Sequence, residues 1–395
     1  MSSEPVSENL FGELEATARE ASRGALLDAL AQSLRQEGRW HDWFEVLKMR
    51  LRHRLGLPLF YDDTADPLEE SVREELERGL LDACRQVGVA LFEAGRPSEG
   101  WLYLRALGEP ALAAELLRKV PVTDERTDEL IQVAVYEGVD LEYGFALLLK
   151  QYGICNAITT FDQVMHDRPR SQRKGAARLL LDHLYRELVE NVAYDRSQRE
   201  GTEPGTQNLA ELIAGHDELF EENAYHIDTS HLAAVVRFAR DLEDQEGWRL
   251  AWELSIYGEL LADLYQMPDL SPFESFYEAH RHFFAVLLEQ NADEVTAGLE
   301  FFRAEADRVL AGGEDAPDPS MAREVYLDLL LRTGRRAEAV REAVRLYPNE
   351  LPRELAASLL EAAATSGTIE PLMEHARHRG DLLTFGTLLA LQPQE

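Results

Sequence analysis

Apolar positions recur along this chain with the spacing of an α-helix. Near the start the repeat runs through Leu10, Leu14, Leu27, Leu30 and Leu34, with charged or small residues between them. Spacings of three and four residues place apolar side chains on one face of a helix. Alternating patterns typical of half-buried strands are essentially missing. The periodicity therefore predicts an all-α protein built from helices of ordinary length.

Three windows of the sequence share one order of features. In each window a helical pattern ends at a Gly-Arg pair, and a second helical pattern begins within three residues; the glycines are Gly38, Gly95 and Gly334. Glycine adopts the left-handed conformation that ends many helices, and the next helix can then run back along the first. The windows therefore predict αα-hairpins.

These windows resemble tetratricopeptide repeats. In that family a Leu-Gly pair and a large residue mark the first helix, and a Gly turn and a Glu-Ala pair follow. The matching positions are Val87, Gly88 and Leu91 for the first helix, and Gly334, Glu338 and Ala339 for the turn and the second helix. The resemblance covers about a quarter of the chain, without a regular period. It implies a tetratricopeptide-like α-solenoid, an antiparallel helix-pair superhelix that binds a protein or peptide partner through its concave surface.

Three stretches interrupt the helical pattern with proline, glycine and acidic residues, at 57–67, 198–207 and 311–320. Such composition is typical of loops and linkers. The second stretch lies near the middle of the chain. It predicts an N-terminal helical domain over 1–197 and a C-terminal helical domain over 208–395. A continuous helical stack with one mid-chain loop is the alternative.

The charge balance bears on the choice of partner. Asp and Glu number 73 against 40 Lys and Arg, which gives a formal net charge of -33. This surplus repels nucleic-acid phosphate and anionic lipid, so we expect neither nucleic acid nor a membrane as partner. The first residues lack the pattern of a secretory signal, and the sequence has only two cysteines, Cys84 and Cys155. We therefore expect a cytoplasmic protein.

The segment 221–240 carries a candidate metal site. His226 and Asp228 precede a helix for which Asp228 or Thr229 is the expected N-cap, and His231 falls in its first turn. Two imidazoles and a carboxylate at one helix start can supply ligands for a divalent transition metal. The alternative is that Asp228 only caps the helix while both histidines lie on a polar face.

A second pair of possible metal ligands, His183 and Glu187, stands at i and i+4 on a predicted helix. If these side chains converged with those around His226, a bound metal could activate a water molecule for a metal-dependent enzyme. A solvated helix face is the simpler interpretation, since the spacing matches no established metal motif. A metal-binding protein or metalloenzyme is therefore the alternative to the scaffold.

Candidate binding residues come from two further stretches. The uncharged stretch 152–161 contains Cys155, Asn156 and Thr159, which could line a polar concave surface; a nucleophilic Cys155 has no identifiable base. The aromatic stretch 272–284 is most often core, and it can also line a peptide groove. There we expect His280 to be buried and hydrogen-bonded to backbone. The candidate binding residues are Asn156, Thr159 and Phe276 from these stretches, together with Tyr225 from the segment 221–240.

One cationic stretch stands out in this acidic sequence, the run Arg168-Pro-Arg-Ser-Gln-Arg-Lys174. We interpret it as a solvated loop or helix start, with docking of an acidic partner as the alternative. Nucleotide-binding glycine loops and the Gly-x-Ser-x-Gly elbow of serine hydrolases do not occur in the sequence. No catalytic residue is identified, and no cofactor other than the possible metal is expected.

Overall fold

A computed structural model describes residues 8–61, 67–266, 273, 275–311 and 319–392. Every regular element in these residues is helical and none is a strand, which confirms the all-α prediction. None of the described helices combines the length and the apolarity needed to cross a bilayer. The contacts divide the chain into two compact units, Met1–Gly153 and Ile154–Glu395, here the N-terminal and the C-terminal unit.

The N-terminal unit is built from short helices that pack against their neighbours in sequence. Its helices are α1 (Glu8–Glu20), α2 (Arg23–Gln36), α3 (Trp40–Arg54), α4 (Glu70–Glu93), α5 (Pro97–Leu104), α6 (Pro110–Lys119), α7 (Asp124–Ile131) and the first part of α8 (Leu141–Met165). The packed pairs include α2 with α3, α3 with α4, and α4 with α5. Their apolar faces enclose a core around Leu34, Trp43, Val87 and Leu91.

The C-terminal unit continues with longer helices and an aromatic core. Its helices after α8 are α9 (Arg170–Glu200), α10 (Leu209–Ile213), α11 (Thr229–Phe238), α12 (Gln245–Glu259), α13 (Phe276–Leu288), α14 (Ala292–Ala311), α15 (Pro319–Arg332), α16 (Arg336–Leu346), α17 (Arg353–Ser366), α18 (Glu370–Arg379) and α19 (Leu382–Ala390). From α12 to α17 each helix packs against the next. Tyr257, Tyr277, Phe283, Phe284 and Tyr326 are buried between these helices.

The predicted Gly-Arg hairpins are present in the structure. Gly38, Gly95 and Gly334 have φ values of +67°, +71° and +71°, the left-handed region that glycine occupies without strain. Each lies between two helices that pack against each other: α2 and α3, α4 and α5, and α15 and α16. The predicted helix ends and starts are therefore confirmed at all three turns.

The predicted linker 198–207 lies inside the C-terminal unit. Its first residues complete α9, which ends at Glu200, and Gly201 follows with φ +70°. The two units divide earlier in the chain, after Gly153, whose φ of 77° and ψ of 177° are not helical. Of the other predicted loops, 62–66 and 312–318 lie outside the described residues.

Candidate functional site

The C-terminal unit contains a cavity of about 420 Å³, which we call the arginine cavity. Its walls come from α8, α9, α11, α13, α15, α17 and the 3₁₀ segment Ala239–Asp241. The lining residues are Phe161, Asp162, Met165, His166, Arg170, Arg173, Arg237, Phe238, Arg240, Asp241, Phe276, His280, Phe283, Met321, Glu324, Val325, Asp328, Glu354 and Leu355. The volume falls within the range of small-ligand pockets.

Two arginines at the start of α9 are held by aspartates from other helices. Arg170 Nη2 lies 2.6 Å from Asp328 Oδ2, and Arg173 Nη2 lies 2.7 Å from Asp241 Oδ1. These charge-assisted hydrogen bonds fix the guanidinium groups in the cavity wall. The Nε atoms of both arginines are buried and have no hydrogen-bond partner. Each of these arginines therefore keeps one unused donor.

Arg240 differs from the other arginines of the arginine cavity. Among the described residues its guanidinium has no hydrogen-bond or ion-pair partner within contact distance. Burial lowers the pKa of Arg240 to about 10, against the opposing effect of the Asp241 carboxylate, so the group is still cationic at neutral pH. Arg332 donates to the carbonyl oxygens of Arg240, at 2.6 Å, and of Leu242. The backbone that carries Arg240 is thus fixed, while its charge is unpaired.

His280 supplies a hydrogen-bond acceptor to the arginine cavity. Its side chain is only 3% exposed, and its Nδ1 donates to the carbonyl oxygen of Phe276 at 2.7 Å. Burial, with a further contribution from the Arg240 charge, lowers the pKa of His280 to about 3. The imidazole is therefore neutral, and its Nε2 is a lone-pair acceptor that has no partner. The expectation of a buried, backbone-bonded histidine is confirmed.

A smaller cavity of about 290 Å³ adjoins the arginine cavity. The two share Asp162, Arg237 and Phe276 in their linings, and Arg237 Nη2 lies 2.9 Å from Asp162 Oδ1. The smaller cavity is otherwise lined by Cys155, Ile158, Thr159, Ser230, His231, Ala233 and Ala234. We call the two adjoining cavities together the groove.

The four predicted binding residues fall in different places. Thr159 and Phe276 line the groove. Asn156 is exposed on α8 and belongs to neither cavity lining, and Tyr225 is 53% exposed and packs edge-on against Tyr265 with ring centroids 5.1 Å apart. The structure thus brings together two of the four.

His226 is enclosed by hydrogen-bond partners. Its Nδ1 lies 3.0 Å from the hydroxyl of Tyr257, and its Nε2 lies 3.2 Å from Asp195 Oδ2 on α9. Its carbonyl oxygen accepts from Asn191 Nδ2 at 2.8 Å. Asp195 is also paired with Arg199; burial raises the pKa of this carboxyl, but the Arg199 and His226 hydrogen bonds outweigh it and lower the pKa overall. Both ring nitrogens of His226 are therefore engaged within the protein.

The other predicted metal ligands are used locally. Asp228 is the N-cap of α11, as expected, and its Oδ1 accepts from the backbone N–H groups of Ser230 and His231 at 2.9 and 3.1 Å. The Ser230 hydroxyl bond is the largest of the interactions that lower the pKa of Asp228. His231 lines the smaller cavity.

His183 and Glu187 lie on α9 with their Nε2 and Oε2 atoms 3.9 Å apart. Asp195, which binds His226, stands twelve residues after His183 on this helix, about 18 Å along its axis. His183 is therefore far along α9 from the carboxylate that binds His226. In the part of the chain that the structure describes, no group of three or more His, Cys, Asp or Glu side chains could hold a metal ion, so the metal-site prediction is not supported.

Sequence reasoning missed the arginines of the arginine cavity as a set. Arg170 and Arg173 belong to the basic run 168–174, which signals a local cationic surface. Arg237 and Arg240 stand three residues apart in the segment that was considered for its histidines. The basic run was the one sequence feature that pointed to this cavity. Arginines clustered in so acidic a protein are expected to pair with carboxylates from other helices.

No protein-family model, curated protein or solved structure matches this chain. The chemistry of the groove is therefore the available guide to its role. Its lining offers cationic N–H donors, a neutral imidazole acceptor and aromatic surface. Such a set is suited to binding a ligand that presents both polar groups and apolar surface.

Proposed function

We propose that this chain is a tetratricopeptide-like helical scaffold that binds an extended segment of a partner protein in the groove of its C-terminal unit. The sequential packing of α12 to α17 supports the repeat architecture, because α13 also contacts α15, α14 contacts α16, and α15 contacts α17. Among α12 to α17 the contacts join helices that are at most two apart in sequence, as is typical of solenoid repeats. The Gly-turn hairpins support the same proposal.

One face of α8 supports an extended ligand. Residues at 155, 158, 159, 162, 165 and 166 of α8 and the turn after it line the two cavities in succession. At 1.5 Å per residue this wall is about 16 Å long. An extended chain spans about 3.3 Å per residue, so the wall matches a segment of roughly five residues. A single compact ligand would need only one of the cavities.

The lining also has the mixed character of a peptide-recognition surface. Phe161 and Phe276 offer aromatic surface for apolar side chains, and the Arg237 and Asp162 pair between the cavities offers both a donor and an acceptor to a peptide backbone. Specificity in such grooves comes from side-chain pockets, while backbone groups contribute general affinity. The groove supplies both kinds of contact.

The test uses peptides selected from a random display library against the whole chain. A Thr159→Trp variant should fill the smaller cavity and weaken the selected peptides at least about tenfold. Thr365→Trp is the matched control, because Thr365 is also exposed on a helix and donates to the carbonyl four residues earlier, as Thr159 does. Binding would be measured by fluorescence anisotropy.

Selected peptides should bind wild type and Thr365→Trp with the same Kd and lose affinity only for Thr159→Trp. Failure to select any saturable binder, or equal binding to both variants, would refute the groove as the peptide site.

A further inference from the structure

Unpaired polar groups are concentrated in the arginine cavity. They are the guanidinium of Arg240, the Nε donors of Arg170 and Arg173, and the Nε2 acceptor of His280. Buried polar atoms of folded proteins are nearly always paired, so several unpaired ones around one cavity point to a ligand that completes them. His280 is the strongest member of the set, since its side chain is 97% buried and it lines the cavity.

The charges around Arg240 favour an anion. Asp328 accepts from Arg170 at 2.6 Å and also faces Arg332 at 3.6 Å, so one carboxylate serves two guanidinium groups. Arg240 adds a third positive charge without a partner of its own. The cavity lining as a whole has five carboxylates and four arginines, so the unbalanced positive charge is local to Arg240, and a bound anion would balance it.

Two further carboxylates of the cavity lining limit the charge of that anion. Glu324 on α15 and the exposed Glu354 on α17 also line the cavity. Their carboxylates would repel a dianion such as phosphate more strongly than a monoanion. A carboxylate is the monoanion that pairs best with the planar donors of a guanidinium.

The acceptor on His280 favours a carboxylate ligand that also has a hydrogen-bond donor. A neutral Nε2 can only accept a hydrogen bond, so the ligand must present a donor close to its anionic group. The C-terminal residue of a peptide has this arrangement, with a carboxylate and its own backbone N–H two bonds apart. We propose that the arginine cavity binds the C-terminal carboxylate of the segment held in the groove, with the carboxylate against Arg240 and the last N–H donated to His280 Nε2. This inference rests on the proposed peptide-binding function.

Three small probes test the two contacts separately. N-acetylglycylglycine has the carboxylate and the N–H, its C-terminal amide lacks the charge, and N-acetylglycylsarcosine keeps the charge but lacks the last N–H. The acid should bind the full chain with a Kd on the order of 1 mM, as its small size allows. The amide should bind at least about tenfold more weakly, and the sarcosine probe several-fold more weakly. Titration calorimetry or ligand-observed NMR would measure these affinities.

Arg240→Gln tests the assignment on the protein side. Because Arg240 has no partner in the described structure, this substitution breaks no ion pair, and thermal unfolding would verify that the variant folds. It should reduce the affinity for the acid at least about tenfold and leave the weak binding of the amide unchanged. Arg341→Gln, at an exposed position of α16, is the matched control and should bind the acid as wild type does.

Several results would overturn the inference. They are no saturable binding of the acid, equal binding of acid and amide, or an unchanged affinity in Arg240→Gln. Equal binding of the acid and the sarcosine probe would show that the last N–H of the ligand does not bind His280 Nε2. If the acid binds as expected but no peptide sensitive to Thr159→Trp can be selected, the carboxylate site stands and the extended peptide groove fails.

Discussion

The hydroxyl of Tyr257 lies 2.8 Å from the backbone nitrogen of His226 and 3.0 Å from the Nδ1 atom of the same residue. It accepts the backbone N–H and donates to the ring, while His226 Nε2 donates to Asp195. Tyr257 is completely buried on α12, and burial raises the pKa of its hydroxyl well above the ordinary value. This contact fixes the segment before α11 against α12. Together with the Asp195 hydrogen bond, it gives both ring nitrogens of His226 a partner within the protein.

Tyr257→Phe should therefore destabilise the protein by about 1–3 kcal/mol, because it leaves the N–H and Nδ1 of His226 without a partner. Tyr277 provides a matched control on the adjacent helix α13. It is equally buried, but its hydroxyl has no hydrogen-bond partner. Tyr277→Phe should be neutral or slightly stabilising, since it removes an unsatisfied polar group. Urea denaturation of both variants checks this, and equal losses would contradict the assigned role of Tyr257.

Close approach of α12 and α13 gives a second prediction. A Cβ added at Gly258 would come within 2.2 Å of the ring of Tyr277, which is fully buried. Gly258→Ala should cost about 1–3 kcal/mol, because the ring can move only by disturbing the core. Gly386→Ala, in α19, meets no atom within 4 Å and should stabilise by about 0.5–1 kcal/mol through helix propensity. Changes of the same sign in the two variants' unfolding midpoints would be inconsistent with this packing.

The neutral state of His280 makes stability depend on pH. Its pKa is lowered from 6.5 to about 3 by burial and by the charges of Arg240 and Arg237. Between these values the unfolded chain binds a proton that the folded chain does not, so stability falls as the pH drops below 6.5. The effect is complete only near the folded pKa.

Replacement of His280 isolates this effect. Wild type should lose about 1 kcal/mol relative to His280→Gln between pH 7 and 5.5, because only wild type has the proton uptake on unfolding. The exposed His378 on α18 is the control, and His378→Gln should keep the wild-type pH dependence. The free energy of unfolding should be measured from pH 7 to 5.5 for all three proteins. Parallel curves of this free energy against pH for wild type and His280→Gln would refute the assigned role of His280.

The local features of this fold could be predicted from sequence, because each depends on residues near one another in the chain. The turns at Gly38, Gly95 and Gly334 follow from the conformational freedom of glycine, and the Asp228 cap follows from its side-chain oxygen two residues before Ser230. Helical periodicity also predicts the buried positions Leu27 and Leu34 of α2, whereas Leu10, Leu14 and Leu30 of the same pattern are half-buried.

The groove could not be predicted in the same way. Arg170 pairs with Asp328 and Arg173 with Asp241, partners that are 158 and 68 residues apart. Periodicity shows which face of a helix is apolar but does not say which helix covers it, so distant pairs cannot be read from spacing. The same limit applies to His183, whose helix places it away from His226.

A buried carboxylate holds Asn208 and Leu209, which follow the stretch 198–207, against the rest of the C-terminal unit. Glu253 on α12 is 1% exposed, and it accepts from Tyr185 at 2.5 Å, Asn208 Nδ2 at 2.8 Å and the Leu209 N–H at 3.1 Å. Arg249 also donates to it. Burial and the hydrogen bond to Glu253 raise the pKa of Tyr185 to about 12. The start of α10 is thereby held against α9 and α12.

Glu253→Gln should destabilise the protein by about 2–4 kcal/mol. The new NH₂ group would face the donors that now bind the carboxylate, and Arg249 would lose its buried counter-charge. Glu246→Gln, on the same helix, is the control; its carboxylate is exposed and lies 2.7 Å from Arg249, and its loss should cost less than about 1 kcal/mol. Hydrogen exchange gives a local readout, since the Leu209 amide should exchange faster only in Glu253→Gln. If the amides around residue 209 kept their protection in that variant, the carboxylate would not be the group that holds α10 in place.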